Sequence, residues 1–264
     1  MKNYFHMLLD EPNALTPDQV VAVHNEAGDH RLVLVCEHAS NWIPPAYEAL
    51  GLDETARQSH AAWDPGALGV AVNLSRSLNA PLVAGCVSRL VYDCNRSPQA
   101  ADAIPAVSEI FDVPGNTGLT EEAREERTAL IYRPFTQRLG AVLGDGSQET
   151  VIVTIHSFTP VYHGQPRTTE IGILHGEDPR LAAHMLALAG QFTRHCTRLN
   201  DPYGPQDGVS HTLNLHGARN GLANVMIEIR NDLIDTQQKQ AQIAAILGPW
   251  LEAAIAVLKK EATS

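Results

Sequence analysis

Two histidines, His38 in CEHASN and His156 in VIVTIHSFTP, stand directly behind apolar runs. Imidazole is the side chain most used to move protons near neutral pH and to hold a divalent metal. A third apolar run, NVMIEIRND, carries Glu228 inside it and Arg230 at its end; a fourth, SRLVYDCNR, ends in Asp93, Asn95 and Arg96 with Arg89 upstream. A histidine behind a single strand is ordinarily a hydrogen-bonded structural residue, but four strand ends carrying polar groups together point to one site. Two histidines, several carboxylates and several arginines make up the composition of an open metal site facing an anionic substrate. A catalytic zinc takes about three ligands from His and Asp/Glu and leaves a place for water, whose pKa falls to about 7.

Such a site needs a scaffold that gathers strand ends. Residues 31–36, 82–92, 151–155, 170–174 and 222–229 are short apolar runs of strand length, with helical patterns between them at 64–79, 180–199 and 236–259. Pro249 predicts a kink or a break in the last of these. Strands alternating with helices imply a mostly parallel sheet covered on both faces, and in such sheets ligands bind beyond the carboxyl ends of the strands. Residues 98–128 break the periodicity with prolines and glycines and then enter a charged helix after Thr120, which reads as an insertion. Residues 1–30 read as an N-terminal arm. No repeat or low-complexity segment divides the chain.

Composition narrows the function. The net charge of -11, with 19 Lys plus Arg against 30 Asp plus Glu, repels a polyphosphate, so nucleic acid is not an expected partner. Four cysteines without a CxxC pair, and no basic-then-apolar leader or long apolar span behind Met1, predict a reduced cytoplasmic protein that does not enter a membrane. There is no GxSxG elbow, GxxxxGK[ST] loop, HExxH helix or GxGxxG turn, which sets aside the usual serine hydrolase, nucleotide-binding and helix-based zinc readings.

In order, the blocks CEHASNWIP, HAAWDPGALGVA, SRLVYDCNRSP, TIHSFTP and MIEIRNDLI resemble the N-formylglutamate amidohydrolase family over residues 31–234. That family resembles the zinc-dependent exopeptidases, and DCNR with an upstream arginine is similar to a block of the aspartoacylase and succinylglutamate desuccinylase branch. The resemblance implies a single amidohydrolase domain over residues 1–264, its core at 31–258. Its fold would be a three-layer α/β/α, zinc exopeptidase-like, with a mostly parallel mixed central sheet. It implies hydrolysis of an N-acyl bond on an acidic amino acid: N-formyl-L-glutamate plus water to formate and L-glutamate, closing a histidine degradation route, with Zn2+ or another divalent ion as cofactor. His38 and His156 match the metal histidines. The exopeptidase pattern places a glutamate three residues after the first histidine, and this chain has Asn41 there. Asp64 is the replacement chosen, with Glu37 behind it, although an aspartate before Pro65 at a helix start is also a cap.

Glu228 matches the glutamate of the family's last block. A carboxylate in an apolar strand has its pKa raised by desolvation, the condition for taking a proton from water and handing it to a leaving amine; a salt bridge to Arg230 is the structural alternative. Arg89 and Arg96 offer planar forks for the substrate's carboxylates, with Asn95 beside them and Arg230 able to serve substrate or structure. His60, His163, His175, His211 and His216 read as loop or surface residues, with GVSHTLNLHGARNG as a rim over the substrate. Ser40 and Ser157 would orient ligands, and an oligomer is compatible with the sequence. The competing class is a non-catalytic protein that binds acidic small molecules on the same fold with a degraded metal site, which Asn41 favours. A serine or cysteine hydrolase using Ser40 is a poorer third reading.

Overall fold

Each of the expected apolar runs nucleates a strand, because β-branched residues pack on a pleated surface and alternate between its faces. The computed structural model describes residues 15–144 and 149–262. Its main sheet has seven strands: β1 (Val21–His24), β2 (Leu32–Cys36), β3 (Leu82–Gly85), β4 (Val151–Phe158), β5 (Ile171–Leu174), β6 (Thr197–Leu199) and β7 (Ala223–Arg230). The spatial order is β1-β3-β2-β4-β7-β5-β6. The central four, β3, β2, β4 and β7, run parallel; β1 pairs antiparallel with β3, and β5 antiparallel with β7. The sheet is therefore mixed and mostly parallel.

Alternation along the central strands builds the layers. Leu34, Val153, Ile155, Val225 and Ile227 join one buried cluster, under helices α1 (Ala67–Ser77), α3 (Arg180–Phe192) and α4 (Gln237–Ala262). Val33, Val35 and Ile152 face a second cluster with Phe135 and Leu139 of α2 (Arg133–Leu143). Helices on both faces of the sheet give the three-layer α/β/α fold. Trp250 of α4 is fully buried and its indole N-H donates to the Met185 carbonyl at 2.8 Å. Trp250→Ala should lower the unfolding free energy by about 3–5 kcal/mol, through the cavity and the lost indole hydrogen bond, in a denaturant titration.

Four local expectations are revised. The run at 82–92 is a strand only to Gly85; Val91 N-H then closes a turn on the Ser88 carbonyl at 2.9 Å, so Arg89 and Asp93 reach the sheet's end from a loop. The helical pattern at 180–199 stops at Phe192 and its tail is strand β6. α4 runs through Pro249 without a break, since Trp250 and Leu251 beside it are locked in the core. The same helix is long and apolar enough to cross a membrane by length and composition, but it packs Leu247, Trp250 and Leu251 against α1 and α3. Of the expected arm, residues 1–14 lie outside the described residues, and Val21–His24 is strand β1. The charged helix is present at Glu121–Arg127, with the Thr120 hydroxyl accepting from Ala123 N-H at 3.2 Å.

Candidate active site

Strand parity decides which polar groups meet. Val35, Ile152 and Asn224 project to the α2 face, and two-residue steps along the same strands put Glu37, His156 and Glu228 on that face at the carboxyl ends. Glu228 is the register partner of His156 across β4 and β7, and of Gly172 across β7 and β5. A side chain at Gly172 would begin 3.2 Å from Glu228 Cβ and 2.4 Å from the Asp201 carbonyl, so only glycine leaves this corner open. His38 lies just past β2, and Asp64 is brought beside it by an Asp64 N-H to His38 carbonyl bond of 2.9 Å.

Asp64 is the hub. Its Oδ2 lies 2.9 Å from His156 Nδ1 and 3.3 Å from His38 Nδ1, and its Oδ1 lies 3.1 Å from Arg89 Nη1. The ring centroids of the two histidines are 5.0 Å apart. Their outer nitrogens face carboxylates: His38 Nε2 lies 2.7 Å from Asp93 Oδ1, and His156 Nε2 lies 3.1 Å from Glu37 Oε2. Apart from half-buried Arg89, all of these side chains are buried. Asp64 is not a helix cap. Gly66, at φ 84°, occupies the N-cap of α1, where a side chain would begin 2.4 Å from the Ile234 carbonyl.

The charges explain one another. Burial raises the pKa of Asp64, but Arg89 and His38 outweigh it and hold the carboxyl well below its usual range. Burial alone would lower both histidines; Glu37 and Asp64 instead hold His156 well above the ordinary 6.5, and Asp93 and Asp64 raise His38. Burial likewise works against Asp93 and Glu37, which are nonetheless lowered, chiefly by His38 and His156 respectively. Glu228 goes the other way: desolvation and the repulsion of Asp64 push it up to about 7, and its Oε2 is buried without a hydrogen-bond partner.

His38, Asp64 and His156 each offer a ligand atom, all within 4.8 Å of one another, and could hold a metal ion. The donor set fits such an ion. Ligating imidazoles characteristically hydrogen-bond a carboxylate through the other ring nitrogen, as His38 does to Asp93. Four buried carboxylates also crowd the two raised histidines, and a divalent cation would balance the charge that imidazolium protons otherwise balance. Glu37, the other candidate ligand, lies behind His156 at its outer nitrogen. Asn41 is turned away, donating to the Arg57 carbonyl and Gln58 Oε1 at 3.1 Å each.

These groups open into a cavity of about 570 Å³. Several expected substrate residues are already engaged at its wall. Arg89 donates to the Ala61 carbonyl at 3.1 Å as well as facing Asp64; Arg96 pairs with Asp102 at 2.7 Å and donates to the Gly208 carbonyl at 3.1 Å. Asn95 donates to the Val209 carbonyl at 2.6 Å and accepts from Thr212 N-H at 3.0 Å, and the expected rim beyond it is not a loop but short helical turns at Leu213–Gly217 and Ala218–Asn220. Arg230 is outside the lining, 2.8 Å from Asp232 and 3.6 Å from Glu170, so it does not pair with Glu228. Ser40 Oγ accepts from Trp42 N-H and Ser157 Oγ donates to the Pro65 carbonyl.

Sequence reasoning missed several members of the lining, His60, Glu109 and Arg167 among them. His60, expected on a loop surface, is buried and lies 2.6 Å from both Glu109 Oε1 and the Ser157 carbonyl. Glu109 itself sits at the turn of a hairpin pairing Val107–Ser108 with Phe111–Asp112. Arg167 follows a second hairpin, Val161–Tyr162 with Gln165–Pro166. Only the i to i+4 spacing of His60 and Asp64 hinted at any of these.

A family model described as N-formylglutamate amidohydrolase matches residues 30–235. Among solved structures, a gene product of Agrobacterium tumefaciens is 50% identical, with a TM-score of 0.89 over 93% of this chain and 99% of that one. An N-formylglutamate amidohydrolase from Ralstonia eutropha is 15% identical, with a TM-score of 0.61 over 92% of this chain and 99% of that one, a likeness of fold. No curated protein matches the chain.

Proposed function

Because this chain belongs to the N-formylglutamate amidohydrolase family, hydrolases of amide bonds, we propose that it removes the N-acyl group of an acidic amino acid in a metal-dependent reaction. The substrate we favour is N-formyl-L-glutamate, cleaved with water to formate and L-glutamate. The observation that carries this reading is Glu228: a buried carboxylate raised to about 7, open to the cavity and opposite His156 in register.

A divalent ion, zinc first among the choices, would be held by His38, Asp64 and His156, and would supply polarisation of the acyl carbonyl and acidification of water. The protein's own part is proton transfer and orientation. Glu228 takes a proton from the attacking water and returns it to the amine nitrogen as the C-N bond breaks, which its raised pKa suits near neutral pH. Asp93 fixes the His38 ring, and Glu37 stands at the outer nitrogen of His156.

The non-catalytic alternative depended on Asn41. With Asp64 between both imidazoles, the missing glutamate gives no reason to regard the site as degraded. Four unpaired cysteines support a reducing compartment, and the charge of -11 still disfavours nucleic acid.

The test is formate release from N-formyl-L-glutamate by purified protein, with metal content measured in parallel. Turnover should fall to background with a chelator and return when Zn2+ is added back. Full turnover of metal-free protein would overturn the metal-dependent reading; no turnover by zinc-loaded protein would favour the binding-protein alternative.

A further inference from the structure

Three arginines line the cavity, and they differ in what they touch. Arg89 faces Asp64 at 3.1 Å, and Arg96 faces Asp102 at 2.7 Å. Among the described residues, Arg167 has no carboxylate at ion-pair distance; its polar contacts are long, at 3.4 Å to the Thr159 carbonyl and 3.5 Å to the Thr159 hydroxyl. Glu109, which feels the charge of Arg167, is engaged by His60 at 2.6 Å.

What holds the guanidinium is aromatic. Its carbon lies 4.4 Å from the ring centre of Tyr162, 5.0 Å from Tyr203 and 5.5 Å from Phe158. Such stacking fixes the plane of the fork and strips water from its faces while leaving its N-H edge free to donate. A guanidinium held by rings, inside a cavity and with only long contacts to Thr159 at its N-H edge, is built to receive a planar anion in two hydrogen bonds.

Its placement agrees with that use. Phe158 lies two residues beyond His156 on β4, on the same face, and two residues of strand advance roughly 7 Å. The guanidinium stacked on Phe158 and the His38, Asp64 and His156 cluster line the same cavity.

We propose that Arg167, caged by Phe158, Tyr162 and Tyr203, is the residue that grips the substrate's carboxylate and sets the preference for anionic substrates. The identity of the substrate rests on the hydrolase reading above; the anion site does not. Both the α-carboxylate and the side-chain carboxylate of an N-acyl glutamate have the required chemistry, and the experiment separates them.

Wild type, Arg167→Ala, Arg167→Met and Arg167→Lys would be assayed on N-formyl-L-glutamate, on N-formyl-L-glutamine, which lacks the side-chain charge, and on N-formyl-4-aminobutanoate, which lacks the α-carboxylate. Arg167→Ala and Arg167→Met should raise KM for N-formyl-L-glutamate by about a hundredfold, with kcat changed severalfold at most, and Arg167→Lys should recover part of the loss. The substrate missing the gripped carboxylate should be the one on which wild type and variants converge. An equal loss on every substrate, or no loss on any, would overturn the proposal. Arg167→Met keeps the apolar stem over the rings and serves if Arg167→Ala does not fold. Calorimetric titration with glutarate needs no turnover: affinity should drop at least about tenfold in Arg167→Met. If glutarate binding depends on Arg167 while no formyl compound is hydrolysed, the anchor stands and the hydrolase reading falls; if glutarate binds both proteins alike, the anchor falls.

Discussion

Glu228→Gln is expected to lower kcat by about a thousandfold and, in the metal-free protein, to raise stability above neutral pH. Both effects come from one fact, that this carboxylate is buried with an unpartnered oxygen and its pKa is pushed up to about 7. Between the ordinary carboxyl value of 4.5 and about 7, the native state holds a proton that the unfolded chain has released. Stability therefore declines as pH rises through that window, and the full penalty applies above it. Glutamine keeps the shape and removes the charge, so the gain should be roughly 2–3 kcal/mol at pH 8 and should vanish near pH 4. Chemical denaturation at the two pH values, alongside formate release, gives both readouts. Activity in wild type should fall on the acid side as Glu228 protonates. If Glu228→Gln retained more than about a tenth of wild-type kcat, the residue would not be the base.

Asp64→Asn should abolish activity equally but move stability the opposite way. Asp64 is buried against His38, His156 and Arg89, and removing its charge leaves three cationic or cation-prone groups without their shared partner. Breaking such a buried cluster at one member costs about 3–5 kcal/mol. Because its pKa is lowered in the native state, the stabilisation is present above the ordinary 3.8 and is lost only as pH falls further through the native value. The deficit should thus be complete at pH 5 and at pH 8, unlike the effect at Glu228. Bound zinc should fall well below one equivalent, by inductively coupled plasma analysis. A variant that kept stoichiometric zinc and wild-type turnover would remove Asp64 from the metal site. The pair of variants separates loss of the base from loss of the metal: one inactive protein is sturdier than wild type and the other weaker.

Much of this site is written along the chain. Residues that follow an apolar run must emerge where a parallel strand ends, so His38, His156 and Glu228 could be placed on one edge before any pairing was known. Runs such as LVLVC and VIVTI determine central strands because their neighbours on both faces are apolar whatever the topology. The edge strand β6, Thr197–Leu199, is short and polar and forms through pairing with β5, so local composition does not mark it; β1 carries an apolar run at 20–23 but is likewise an edge strand, paired with β3.

The amino-acid sequence by itself determined a mixed α/β scaffold and a set of strand-end groups suited to metal and proton chemistry, because two-residue and near-four-residue periodicities are local properties. Tertiary structure decided which of those groups have partners. Arg89 and Arg96, expected as forks for the substrate, stand beside Asp64 and Asp102, and Arg167, which no local pattern marks, is closed in by Phe158 and Tyr162 from its own stretch of chain and by distant Tyr203. The strength of a charge depends on distance and burial relative to others far along the chain, and only the folded arrangement sets those.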